Sequence, residues 1–352
     1  MSTPSARGAG AVAARGALGQ CGGGVANDAQ TERHETMAAK DPLHGKLVTL
    51  TGGSGFFGRH VAQALLERGA RLRIASRDPR KAHSLKPLAN LGQIAFMPCD
   101  VRDPAQAEAA VRGADAVVNL VGAFEGDLMK LICGGARNVA RAAAEHGAGT
   151  FVHISAIGAD AGSPAGYAEA KARSEDAVLE AFPRATVLRP SILFAENGGF
   201  VNMLADIIAT FPVVPVFAPE ARLQLLFVDD AADAVAAALA DPARHAGKTY
   251  EIAGPEALEV MELHRRIARG QGRKRHFLPV PDSLARVFAA LPGTPMNEDQ
   301  WALLRQGNTP SGKLPGLDKL GVQPRPLGLF LDRWMTRYRK HGRFADRVRS
   351  AA

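Results

Sequence analysis

The sequence predicts an α/β protein in which a doubly wound parallel sheet carries a small, interleaved C-terminal lobe. Three observations carry that expectation. From Lys46 onward, short apolar runs alternate with Ala-rich stretches, as strands joined by helical crossovers do. The first run, Leu47 to Thr51, breaks into glycines at 52, 53, 55 and 58, after which Val61, Ala64, Leu65 and Leu66 recur at helical spacing. Beyond Arg189 and Pro190 the alternation gives way to irregular chain punctuated by Gly and Pro. With 352 residues, the chain is long enough to bury a substantial core.

Residues 1–44 are Ala, Gly and small polar residues without hydrophobic periodicity, and are predicted to form a disordered extension. Arg7 and Arg15 precede the first acid, Asp28, which gives a faint likeness to an organellar transit peptide, and Met37 reads as an alternative start. The sheet domain is expected over 45–190, with buried strands at 47–51, 71–75, 94–97, 115–121, 150–154 and 185–188 and helices between them. The lobe is expected over 191–326. It holds a helix after Val228-Asp229-Asp230 and a strand from Lys248 to Ala253. From 327 to 352, Leu327, Leu331, Trp334, Met335 and Tyr338 form an apolar helical stripe beside a basic tail. The stripe either packs on its own domain or docks on a partner or membrane surface.

Composition narrows the class. The chain is 46% hydrophobic and 22% charged, and no apolar run reaches the roughly 18 residues a membrane span needs. Three dispersed cysteines (Cys21, Cys99, Cys133) give neither a disulfide framework nor a zinc spacing. Much of the net charge of +8 is local: from Arg333 onward, Arg333, Arg337, Arg339, Lys340, Arg343, Arg347 and Arg349 face one acid, Asp346. Such a tail suits an anionic surface. A nucleic-acid partner is not expected, because few aromatic residues accompany the charge and no recognition module is present.

The glycine stretch carries the chemistry. Between a buried strand and an amphipathic helix, Gly52, Gly53, Ser54, Gly55, Phe56, Phe57 and Gly58 form a loop that brings backbone N–H groups and the helix dipole to a pyrophosphate. This predicts a Rossmann-type dinucleotide site. The end of the second strand should choose the cofactor. There Ser76 and Arg77 suit a 2′-phosphate, hence NADPH, while Asp78 would serve the ribose of NAD(H) if the strand ended one residue later. Asp100 and Val101 close the third strand, where a carboxylate can accept the adenine amino group. Asn119, Val121 and Gly122 close the fourth, where a small residue lets the backbone approach, and Pro190 the sixth. At strand ends facing one crevice they are read as further cofactor-binding residues.

The fifth strand runs through His153, which is read as packing, into Ser155. Tyr167 and Lys171 follow at helical i, i+4 spacing. An ammonium beside the phenol would lower the tyrosine pKa and make Ser155, Tyr167 and Lys171 a general acid–base set, with Tyr167 and Lys171 also touching the nicotinamide ribose. Phe194, Asn197, Phe200, Phe217 and Arg222 are candidate pocket residues in the lobe.

Together these motifs resemble the extended and atypical short-chain dehydrogenase/reductases. His153-Ile-Ser-Ala-Ile-Gly158, Ala181 to Ser191, Val228-Asp229-Asp230 and Lys313 to Val322 are more narrowly similar to the NADPH-binding accessory subunit of respiratory complex I and its bacterial relatives. The resemblance runs from about Lys46 to the basic tail. It implies tightly held NADPH without established turnover, and complex I subunits as partners. It also implies a peripheral position on the cytoplasmic face of a bacterial inner membrane or the matrix side of the mitochondrial one. The alternative is a free NADP-dependent reductase, epimerase or dehydratase using Ser155, Tyr167 and Lys171.

Overall fold

The computed structural model describes residues 41–290 and 297–339. The expectations for the first 40 residues and for the tail beyond Arg339 fall outside them.

The sheet domain follows in order: β1 (Leu47–Thr51), α1 (Phe56–Glu67), β2 (Arg71–Ser76), β3 (Ile94–Pro98), α2 (Pro104–Val111), β4 (Ala116–Asn119), α3 (Gly135–Glu145), β5 (Thr150–Ile154), α4 (Gly166–Ala181) and β6 (Thr186–Pro190). The lobe adds α5 (Phe200–Thr210), α6 (Val228–Ala240), β7 (Thr249–Ile252), α7 (Val260–Gly270), α8 (Asp282–Ala290), α9 (Glu298–Gln306) and α10 (Gly328–Trp334). Strands β3-β2-β1-β4-β5-β6-β7 lie side by side in one sheet. All its pairings are parallel, with Leu50 of β1 opposite Ile74 on one side and Val118 on the other. The order reverses between β1 and β4, which opens a crevice at their carboxyl ends.

Burial explains why the central strands read as unbroken apolar runs. Every residue of β4 and β5 is buried, because helices cover both faces. On one face Val61 and Leu65 of α1 meet Ala231 and Val235 of α6. On the other, Val111, Val139, Phe151 and Val178 pack together. The crossover from β2 to β3 departs from the expected helix. It is a 3₁₀ run, Pro79–Leu88, in which Pro79 and Pro87 contribute no N–H to a helical ladder.

The segment after 190 is tied to the sheet by β7 and α6 and builds a second core around Phe194, Ile208, Leu223, Phe227 and Leu263. Its Val228-Asp229-Asp230 start has a physical reason: buried Asp230 accepts hydrogen bonds from the Arg325 N–H (2.7 Å) and Nε (2.6 Å). The C-terminal stripe turns inward. Leu327, Leu331, Trp334 and Met335 are buried in that core, where Phe330 stacks on Phe227 with ring centroids 4.3 Å apart. Its apolar face therefore packs on its own lobe, while Leu329, outside the stripe, is exposed.

Candidate nucleotide-binding site

The loop after β1 is shaped by close backbone approach. Gly52 has φ +76°, and a Cβ there would stand 3.2 Å from the Leu120 carbonyl carbon and Val121 N. A Cβ on Gly58 would lie 2.6 Å from Gly53 Cα, so α1 can pack this tightly on the turn only without one. No side chain caps α1, and its first turn holds no acid. Its leading N–H groups and dipole are thus available to an anion. Below the loop, Thr51 Oγ1 bonds Asn119 Oδ1 (2.9 Å), Asn119 Nδ2 meets His153 Nδ1 (3.2 Å), and His153 Nε2 meets Ser174 Oγ (2.9 Å). Burial and nearby Lys171 hold the His153 pKa well below its ordinary value, so the imidazole is a neutral link in this chain.

At the end of β2, the Ser76 hydroxyl is buried with no partner among the described residues, and Arg77 is exposed. Asp78 accepts from the Arg80 N–H and from Arg80 Nε at 3.0 Å. Asp100 is engaged by Arg102, with Nε 3.0 Å from Oδ1; those bonds bring its pKa down to about 2. Arg102, two residues beyond the strand-end acid, was not singled out from the sequence. Val101 is buried, and a Cβ on Gly135 would meet its Cγ2 at 2.5 Å. An uncapped helix terminus, an orphaned hydroxyl and an exposed guanidinium at the ends of β1 and β2 fit the phosphates and ribose of a dinucleotide.

Beyond this end lies a cavity of about 530 Å³. Ser155, Tyr167 and Lys171 all line it, together with Phe56, Phe57, Gly122 and Pro190. Their geometry differs from the acid–base set expected. The Ser155 hydroxyl donates to Glu175, whose carboxylate is held by Arg189 through Nε (2.8 Å) and Nη2 (2.7 Å). Lys171 Nζ donates to the carbonyls of Ile154 (2.7 Å) and Val121 (3.1 Å) and stands 5.9 Å from the Tyr167 ring centroid. Burial pushes the Tyr167 pKa up to about 12 and brings Lys171 down to about 8. Desolvation outweighs attraction here, so the phenol is a neutral donor near pH 7. Tyr167 also stacks on Phe124, centroids 4.4 Å apart, another residue absent from the sequence reading.

Of the lobe candidates, Phe200 lines the cavity. Phe194 is buried in the core, Asn197 bonds Arg337, Phe217 stacks on Phe288 and Arg222 is exposed. Gln300, Leu303, Leu304 and Asn308 close the cavity instead. The helix that carries the first three was readable from the Asn297–Gln300 capping box at its start.

Fold and site together define an NAD(P)H-binding α/β protein, and residues 52–206 match the model of the NAD(P)H-binding family. The chain belongs to the family of the NADH dehydrogenase [ubiquinone] 1 alpha subcomplex subunit 9, a complex I subunit. It is 30% identical to the rat mitochondrial member, over 82% of this chain and 80% of that one. It is likewise 30% identical to the Arabidopsis thaliana member, over 71% of this chain, and spans 64% of that relative's length. A ceramide reductase of Caulobacter vibrioides is 28% identical over 75% of this chain and 80% of its own. Among solved structures, the Streptomyces venezuelae dTDP-glucose 4,6-dehydratase with NAD and TYD bound shares the fold. Its TM-score is 0.64 at 17% identity, covering 83% of this chain and 96% of that one.

Proposed function

We propose that this chain is an NADPH-holding accessory subunit of a membrane-associated NADH:ubiquinone oxidoreductase, its nucleotide serving stability or assembly. The observation that carries this is a likeness to the rat subunit that extends over 82% of this chain, well past the 52–206 nucleotide-binding match. The engagement of Ser155 by Glu175 and of Lys171 by backbone carbonyls supports holding over turnover. For NADPH over NADH the support is exposed Arg77 beside an Asp78 already occupied by Arg80. The residues that would hold the nucleotide are the 52–58 loop, Ser76, Arg77, Asp100, Val101, Asn119, Val121, Gly122, Tyr167, Lys171 and Pro190. The resident nucleotide would supply a nicotinamide next to Tyr167.

The partners are complex I subunits and, through the basic tail, the membrane surface. The seat is the cytoplasmic face of a bacterial inner membrane or, as the alternative, the matrix side of the mitochondrial inner membrane. Among the described residues no helix is long and apolar enough to cross a membrane.

Purification of the untagged protein from native membranes in mild detergent tests this. Near-stoichiometric NADPH travelling with quinone oxidoreductase subunits is expected; a free protein that exchanges NADP readily overturns it. Arg77→Ala is expected to weaken NADPH about tenfold while leaving NADH nearly unchanged, and equal losses for both would remove the assignment of Arg77.

A second reading, a free NADP-dependent reductase, epimerase or dehydratase, is favoured by one observation: Ser155, Tyr167 and Lys171 share one cavity. Under it, Tyr167→Phe abolishes turnover.

A further inference from the structure

We infer that the lobe side of this cavity binds a neutral, long-chain apolar molecule whose small oxygen-bearing head accepts a hydrogen bond from Tyr167 through one oxygen. The inference deepens the functional reading above and rests on it only for the nucleotide beside the head.

The walls carry the case. Away from the nucleotide end they are Ile157, Phe200, Met203, Leu223, Leu303 and Leu304. Among the described lining residues Lys171 is the only charged one, and its ammonium already donates to two backbone carbonyls. Most of the neutral polar groups are committed as well, the exposed Gln306 amide and the Gln300 Nε2 group excepted. Ser191 Oγ donates to the Gln224 carbonyl (2.6 Å). Asn308 accepts from the Ile192 N–H (2.8 Å) and donates to the Ile157 carbonyl. Gln300 Oε1 accepts from the Asn297 N–H (3.0 Å). The Ser155 proton goes to Glu175, which leaves that oxygen only as an acceptor.

At the Ser155 and Lys171 end, the Tyr167 hydroxyl has no partner of its own among the described residues. A sugar nucleotide entering here would strip water from a diphosphate and several hydroxyls against walls that return few matching groups and no uncommitted charge, a large penalty. An aliphatic or isoprenoid chain loses nothing comparable and gains from burial, and one oxygen satisfies Tyr167. The volume falls within the range of roughly 300–1,000 Å³ of pockets that enclose whole small ligands.

Two sources share this chemistry, a hydroxylated lipid chain and a quinone with an alkyl tail. Calorimetric titration of the full-length protein, with and without saturating NADPH, is the test. The probes are straight-chain alcohols of eight, ten and twelve carbons, decylubiquinone and dTDP-glucose. Affinity should rise roughly tenfold per two added methylenes until the cavity fills, and dTDP-glucose should not bind.

Met203 is 41% exposed at the rim, so Met203→Glu should fold and should weaken chain binding at least tenfold. Leu278→Glu, exposed at 60% and outside the walls, should leave it unchanged. Tighter alcohols point to a lipid source, and tighter decylubiquinone to a quinone. Absence of binding by any chain, dTDP-glucose binding in place of the chains, or equal loss in both variants would overturn the inference. NADPH binding in the same titrations reads the nucleotide site separately: chains failing where NADPH binds would sink only this proposal.

Discussion

At the nucleotide end of the cleft, the N–H groups of α1 stand uncapped, the Ser76 hydroxyl is orphaned and Arg77 is exposed. At the opposite end, Ser155 is held by Glu175, Lys171 by two carbonyls and Asn308 by its neighbours. The contrast teaches which end is built to receive a charged ligand. Unsatisfied polar groups are costly to keep in a fold, so a cluster of them marks a place where a partner supplies the missing bonds. A catalytic corner whose donors are satisfied internally is already stable without one.

Breaking the nucleotide end should have the largest effect. Gly58→Val places a branched side chain where even a Cβ would lie 2.6 Å from Gly53. Nucleotide binding followed by NADPH fluorescence should fall at least about 1,000-fold, since each 1.4 kcal/mol of displacement is a factor of ten. Near-normal affinity would show that the loop, and with it the contrast, is softer than its packing implies.

The satisfied end should answer in stability instead. Glu175→Ala leaves Arg189 without its bidentate partner in a largely buried setting and should cost about 3 kcal/mol in denaturant unfolding. The double variant Glu175→Met with Arg189→Met should recover much of that loss, because two apolar side chains remove the stranded charge. A single variant as stable as the parent would mean the pair is incidental.

A smaller effect sharpens the comparison through pH. Buried Lys171 titrates near 8 in the fold against an ordinary 10.5. Between those values the unfolded chain holds a proton that the folded chain has released, so stability should rise as pH increases from about 8 toward 10. The rise should be about 1–3 kcal/mol in total and should vanish in Lys171→Met. A flat profile in the parent would place the ammonium in a better-solvated site than its burial suggests.

The sheet was legible because its strands are covered on both faces. β1, β4 and β5 read as continuous apolar runs flanked by glycines and Ala-rich helices. The run at 79–88 was less so, since its two prolines forbid a regular helix without announcing a 3₁₀ path. Residues Gly52 to Gly58 could be placed from their order alone, each glycine having a steric reason visible in sequence. What Ser155 faces could not. Its partner Glu175 lies twenty positions on, one turn of α4 beyond Lys171, and the Arg189 that fixes Glu175 comes from another strand. Such contacts are set by packing of α4 on the sheet and leave no local spacing to read. The cavity walls at 300–308 were hidden for the same reason, as an amphipathic helix looks alike whether it covers core or a cleft.

β7 has one further property. Its Glu251 accepts from both the N–H and hydroxyl of Ser311, and the Glu251 N–H donates to the Pro315 carbonyl at 3.0 Å. The edge of the central sheet is therefore finished by chain made some sixty residues later. During synthesis on the ribosome, the first six strands can pair as they emerge, but the seventh waits with only Arg189 of β6 beside its acid until residues 311–315 arrive. Translation halted short of them should leave a nascent chain with an open sheet edge, the form most exposed to chaperones and proteases.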